Sequence, residues 1–149
     1  SLYCAATNVL ISGDMLLPRI STNIAVASVT PDADPLALFL ASLARYAAEL
    51  PADVLVLPSH GLPFRGARER IAQLEQHHEA RIAELEEACA TPKAAAELIA
   101  TLFRRKLDTH QTFFAMGETL AHLNYLAGRG RLARAVGGDG IARFVRRPA

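Results

Sequence analysis

Val54-Leu55-Val56-Leu57-Pro58-Ser59-His60-Gly61 is the stretch on which the fold class turns. Four consecutive apolar residues are too few for a helix, and Pro58 closes the run. Such a segment fits a strand covered on both faces, as in layered α/β proteins. Just upstream, Asp34-Pro35 sets an N-cap residue before a proline at the first helical position. Leu36, Phe39, Leu40, Leu43, Tyr46, Ala47 and Leu50 follow at helical spacing until Pro51 stops the helix. Further upstream, Val9-Leu10-Ile11-Ser12 is a second strand-length run that ends at Gly13-Asp14. Ser1-Leu2-Tyr3-Cys4 reads as a strand joined to it by a short turn at Ala5-Ala6-Thr7-Asn8, giving a hairpin. A strand at the very first residue, with no initiator Met, points to a natural chain that begins earlier. The order strand, strand, helix, strand leaves Asp14 and His60 at strand exits, where α/β proteins commonly gather their chemistry.

The composition changes from about Gly66 onward. Gly66 to Cys89 is a long charged helix with an apolar stripe of Ile71, Leu74, His78, Ile82 and Leu85. Thr91-Pro92 is expected to cap a second helix to about Arg105, burying Ala95, Leu98, Ile99 and Leu102. A third helix, from His110 or Thr112 to Ala127, carries Phe113, Met116, Leu120, Leu123 and Leu126, and Gly128 and Gly130 end it. Leu132–Val136 and Ile141–Val145 then flank Gly137-Gly138-Asp139-Gly140, a β-hairpin signature. Three helices followed by a two-stranded wing is the order of a winged helix-turn-helix. The domains expected are therefore 1–65, α/β, and 66–149, winged-helix-like.

At 149 residues with 51% hydrophobic and 21% charged residues, the chain can bury a core as one ordinary domain or two small ones. Sixteen Lys and Arg against fifteen Asp and Glu give a net charge of +1, which excludes a globally basic nucleic-acid binder. Two cysteines cannot form a disulfide framework, so a reducing compartment is expected. No uncharged apolar run approaches the roughly 20 residues needed to cross a bilayer, and no basic-then-apolar leader opens the chain. The expectation is a cytoplasmic protein with no membrane partner.

Asp and His suit Zn²⁺, Mn²⁺ or Fe, and here both directly follow strands. Taken alone the pair is weak evidence, since an Asp after a strand is commonly a turn former and a loop His is commonly solvated. The surroundings add more. Leu10-Ile11-Ser12-Gly13-Asp14, Leu17-Pro18-Arg19-Ile20-Ser21-Thr22-Asn23 and Leu57-Pro58-Ser59-His60-Gly61 resemble the metallo-β-lactamase superfamily, in its bacterial hydrolase branch with a C-terminal winged-helix tail. Gln76-His77-His78-Glu79-Ala80-Arg81 and Gly117-Glu118-Thr119-Leu120-Ala121-His122-Leu123 match that tail.

The resemblance implies an α/β (α+β) fold, the C-terminal half of an αββα sandwich followed by the winged-helix-like domain. It implies a dinuclear-zinc hydrolase, other divalent metals being the alternative, with Asp14 bridging the metals and His60 as the last histidine ligand. A metal-bound hydroxide would then attack a thioester, ester or phosphodiester. The family's His-x-His-x-Asp-His motif is absent here, so the chain by itself is expected to be inactive and to contain no catalytic residue of its own. The missing N-terminal half is then a partner. Apolar surface left bare by that half predicts self-association. The rival reading is a non-enzymatic winged-helix module, binding nucleic acid or protein, on a degenerate hydrolase remnant.

Beyond Asp14, Ser21 and Asn23 are candidates for substrate contact, as is Phe64 at a pocket mouth with Arg65 beside it; loop turns and packing are the plainer alternatives. Ser59 is expected to make only a local hydrogen bond. His77 and His78 are adjacent on a helix and cannot form a metal pair. One is expected packed and the other solvated. Glu118 and His122, at i,i+4, are expected to share a hydrogen bond, and Cys4 and Cys89 to be buried. The last stretch, 128–149, carries six arginines against one aspartate, so the rest of the chain is net acidic. Arg131, Arg134 and Arg143 are candidate phosphate contacts for RNA or another anionic substrate. The third helix has no Arg or Lys between Thr112 and Ala127, which argues against sequence-specific DNA recognition.

Overall fold

The computed structural model describes residues 1–148. They form two compact units, residues 1–22 with 38–77 and residues 23–37 with 78–149.

In the first unit, β1 (Leu2–Cys4) and β2 (Val9–Gly13) form the expected hairpin, and β3 (Leu55–Pro58) completes a sheet of order β1-β2-β3. Asn8 takes a positive φ of 51° in the hairpin turn, a conformation that asparagine tolerates better than most residues. β2 and β3 are parallel, and the helix α1 (Pro35–Glu49) lies between them in sequence, as a parallel pair requires. The Asp34 carboxylate accepts the Ala37 N–H at 2.9 Å, so the expected cap is made.

Ladder partners share a face of the sheet, and side chains alternate along each strand. Tyr3, Leu10 and Val56 therefore share one face, and Leu10 and Val56 are buried there. The opposite face carries Leu2, Cys4, Val9, Ile11, Leu55 and Leu57, all apolar and none buried. Leu2 is 72% exposed and Ile11 51%. Cys4 belongs to this face and is exposed, contrary to expectation, whereas Cys89 is buried as expected and its thiol is pushed up to about 11 by burial.

α2 (Ala67–Ala88) buries all five residues of its expected stripe, His78 included, and leaves His77 half-buried. The second unit continues with β4 (Lys93–Ala94), α3 (Ala95–Leu102), α4 (Thr109–Gly128), β5 (Leu132–Val136) and β6 (Ala142–Arg146). Its sheet is antiparallel in the order β4-β6-β5, so the wing has a third strand that the sequence did not suggest. Pairing of Lys93 and Ala94 with Phe144 and Arg143 takes the residues expected as the first turn of the second helix. That helix starts later, and the Glu97 carboxylate accepts the Ala94 N–H at 2.8 Å. Asp108 caps α4 through the Gln111 N–H at 2.8 Å, a reciprocal capping box.

The core of this unit contains Ile82, Leu85, Leu98, Leu123, Leu126, Leu132 and Phe144. Phe113, expected in the core, is 74% exposed. It precedes the buried Ala115 by two residues, about 200° around the helix, and so faces away from the packed stripe. His122 Nδ1 lies 2.9 Å from the Glu118 carbonyl, which can only accept, so this nitrogen carries the proton. His122 Nε2 lies 3.1 Å from His78 Nδ1, so the two buried imidazoles are joined by one hydrogen bond. The expected i,i+4 contact is thus made to the backbone of Glu118, while its carboxylate lies 3.5 Å from Arg81.

Residues 23–37 have no regular structure before the helix cap, and α4 holds them. Val26 N–H donates to the Gly117 carbonyl at 3.0 Å, and a Cβ at Gly117 would lie 2.8 Å from the Ala25 Cβ. The buried Asn124 amide donates to the Pro31 and Ala33 carbonyls, both at 2.9 Å. Asn124→Ala removes both donors and is expected to lower the unfolding free energy by about 2 kcal/mol. Urea denaturation checks this, and an unchanged midpoint would mean the amide carries no weight.

Candidate metal centre

Because β2 and β3 run parallel and side by side, their C-terminal ends open at the same edge of the sheet. The ladder pairs Gly13 with Pro58, and the Ser59 N–H donates to the Gly13 carbonyl at 3.2 Å. A bulge between Ile11 and Gly13, with Gly13 at φ +58°, turns the chain out of the strand. The buried Ser12 hydroxyl donates to the Leu16 carbonyl at 2.9 Å and holds the turn closed.

Asp14 and His60, 46 residues apart in sequence, meet at this edge with His60 Nε2 3.6 Å from Asp14 Oδ1. Both side chains are more than half exposed. The separation is too long for a hydrogen bond. It matches the spacing of two ligands on one tetrahedral zinc, about 3.3–3.6 Å for bonds of about 2.0–2.2 Å. One carboxylate oxygen and one imidazole nitrogen are a suitable donor pair. A catalytic zinc ordinarily takes three protein ligands, however, and among the described residues no group of three or more His, Cys, Asp or Glu is placed to hold a metal.

Ser59 does more than expected. Its hydroxyl donates to Asp14 Oδ1, joining the two strand exits, and the Thr22 hydroxyl donates to the Asp14 carbonyl. Neither contact was legible in the sequence, since each depends on how distant segments are brought together. Gly61 has φ +88°, and a Cβ there would lie 2.7 Å from Pro18 Cγ. This close approach sets the loop after β2 against the loop after β3. Between them lies a largely apolar pocket of about 520 Å³, with Pro18, Ile20, Leu62 and Phe64 in its wall and Arg19 and His60 as its polar members. Phe64 is thus brought to the pocket beside His60, while Arg65 donates to the Asp53 carbonyl. Ser21 faces a separate pocket, and Asn23 belongs to the second unit.

The three candidate phosphate contacts, Arg131, Arg134 and Arg143, are each held by a carboxylate. Arg131 grips Glu86 through two nitrogens, at 3.0 and 2.5 Å, Arg134 pairs with Asp32, and Arg143 pairs with Asp139 at 2.8 Å. Glu86 is lowered from the ordinary range mainly by its hydrogen bond from Arg131. Asp139 is held at about 2, first by Arg143 and then by the Ile141 N–H.

Among solved structures, the chain is 55% identical, with a TM-score of 0.93, to a beta-lactamase domain protein from Burkholderia ambifaria. It is 38% identical, with a TM-score of 0.81, to a metallo-beta-lactamase family protein from Thermus thermophilus. In both comparisons 97% of this chain is covered, but it spans only 43% and 44% of those chains. The profile of the family described as metallo-beta-lactamase-like, C-terminal domain, matches residues 82–147. No curated protein matches the chain.

The depressed Asp139 carboxyl has a definite pH consequence. Its pair with Arg143 favours the folded hairpin at pH values above the ordinary carboxyl range, and this contribution is lost as pH falls through about 2. Arg143→Gln is expected to return the Asp139 midpoint toward the ordinary range in a carboxyl ¹³C NMR titration. A midpoint that stays near 2 would assign the effect to the Ile141 N–H instead.

Proposed function

Since the chain belongs to the metallo-β-lactamase superfamily, corresponding to its C-terminal part, we propose that it forms the C-terminal part of a metal-dependent hydrolase in which Asp14 and His60 are metal ligands. The convergence of these two side chains at the ends of adjacent parallel strands is the observation that carries this reading. Zinc is the metal proposed, two ions in the complete centre; Asp14 and His60 would contribute a carboxylate and an imidazole to it, and the remaining ligands would come from elsewhere in the protein. Bound there, the metal supplies a Lewis acid and an activated water for a thioester, ester or phosphodiester. Ser59 fixes the Asp14 carboxylate, and Thr22 fixes the backbone that carries it. The apolar pocket beside His60 receives the part of the substrate next to the scissile bond, with Phe64 in its wall.

The bare sheet face of Leu2, Cys4, Val9, Ile11, Leu55 and Leu57 supports the expected partner. We read it as the surface covered by the remainder of a longer protein. Alone, the chain is then inactive and associates with itself. The second unit's three helices and three-stranded antiparallel sheet suit a winged-helix-like tail, and no helix among the described residues is long and apolar enough to cross a membrane; a cytoplasmic location is part of the same proposal. The nucleic-acid alternative is the less supported reading, because Arg131, Arg134 and Arg143 are already engaged and α4 carries no Lys or Arg.

Zinc content after dialysis of the longer protein that supplies the remaining ligands tests the ligand assignment independently of turnover. Asp14→Asn and His60→Gln should each lower zinc affinity by at least about 100-fold, and Ser59→Ala, which touches only Asp14, by about tenfold. Full zinc retention by both ligand variants would overturn the assignment. Light scattering tests the bare face. The chain should be oligomeric at micromolar concentration and the double variant Leu2→Glu/Ile11→Glu monomeric, whereas a monomeric parent would refute the association.

A further inference from the structure

On the far side of Arg19 and Ile20 from the apolar pocket lies a second pocket of about 420 Å³, with a different chemistry. Arg19, Ser21, Arg70, Gln73 and His77 contribute to its wall, and no carboxylate does. Arg70 is anchored there. Its Nε donates to the Leu17 carbonyl at 2.7 Å, Nη2 to the Ile20 carbonyl at 3.0 Å and Nη1 to Gln73 Oε1 at 3.0 Å. All three acceptors are neutral, so the guanidinium is fixed in direction while its charge stays uncompensated. Burial alone disfavours that charge and lowers the pKa of the group. Arg19 likewise meets no carboxylate within ion-pair distance among the described residues. Seven other arginines, at positions 45, 81, 104, 129, 131, 134 and 143, each face one.

Two guanidinium groups and a hydroxyl around one concavity without an acid match the donors that bind a phosphate group. We propose that this pocket binds the phosphate group of a phosphate-bearing ligand. In the hydrolase reading, on which this extension rests, the ligand is a substrate whose scissile ester or thioester reaches Asp14 and His60 across Ile20. One loop, residues 14–21, then carries a metal ligand at its start, a wall of the apolar pocket in its middle and the phosphate contacts at its end.

Titration of the ¹⁵N-labelled protein with sodium pyrophosphate, in chelator and at constant ionic strength, keeps this test separate from any metal. Saturating shifts are expected at the Ile20, Ser21 and Gln73 amides and at Arg70 Nε–H. Arg19→Gln, at an exposed position, should weaken binding about tenfold, as loss of one charge-assisted contact would. Arg147→Gln, an exposed arginine in the other unit, should leave the affinity unchanged. Non-saturating shifts, shifts centred on Arg146 and Arg147, or an unaltered Arg19→Gln affinity would overturn the proposal. Competition distinguishes the sources of phosphate. Displacement by a nucleoside monophosphate identifies a small phosphate ester, and displacement only by an RNA oligonucleotide identifies backbone phosphate. Displacement by neither would refute the site. Because no metal takes part, phosphate binding with failed zinc binding would sink only the hydrolase reading, and the converse only this pocket.

Discussion

The parallel pairing of β2 with β3 is the constraint on which the site depends. It fixes strand direction, so the residues after both strands emerge at one sheet edge, and it fixes register, so Gly13 lies opposite Pro58. A shift of one residue would turn every side chain of β2 to the other face, sending Leu10 and Ser12 outward and carrying Asp14 away from His60. The burial of Leu10, Ser12 and Val56 therefore does two things at once. It holds the sheet on its packed side, and it brings the Asp14 and His60 side chains together.

Local pattern and distant contact were legible in the sequence to different degrees. Asp34-Pro35, the stripe of α2 with His78 inside it, and the glycine-rich wing turn act within a few residues, and each appears where the pattern puts it. That Asp14 and His60 both sit at strand exits was legible because each follows a strand-length apolar run; that they meet depends on the parallel pairing. β4 was not legible, since two residues after a Thr-Pro gain strand character only when β6 offers them a ladder. Phe113 illustrates a phase error: the apolar residues of α4 are spread widely enough that the packed stripe is decided by Ala115, Thr119 and His122. The Ser59 contact with Asp14 spans 45 residues and depends on the parallel register itself.

The loop from Asp14 to Thr22 has little regular structure and takes its order from the elements around it. Ser12 holds its first turn, Gly61 lets Pro18 approach, Arg70 binds two of its carbonyls and Thr22 returns to Asp14. An irregular segment satisfied in this way can be as well defined as a strand, because its backbone acceptors are paired and its conformational freedom is removed. Arg70 differs from the other fasteners in that it introduces a full positive charge. A neutral donor could hold the same carbonyls; the guanidinium does so and also leaves a field in the neighbouring pocket.

That distinction also explains why the count of arginines near the C-terminus is a poor guide to where an anion would bind. Six positive charges against one negative charge in that stretch look like an electrostatic patch. Yet Arg131 and Arg134 take their partners from Glu86 and Asp32, far away in sequence and close in the fold. Each pair presents a dipole, whose field falls faster with distance than that of a lone charge and is screened further over a Debye length of about 8 Å. An incoming phosphate would have to displace a carboxylate already in place. At Arg19 and Arg70 no such displacement is needed. The sign of a surface follows from which charges remain unneutralised after folding, and that is decided by contacts between segments.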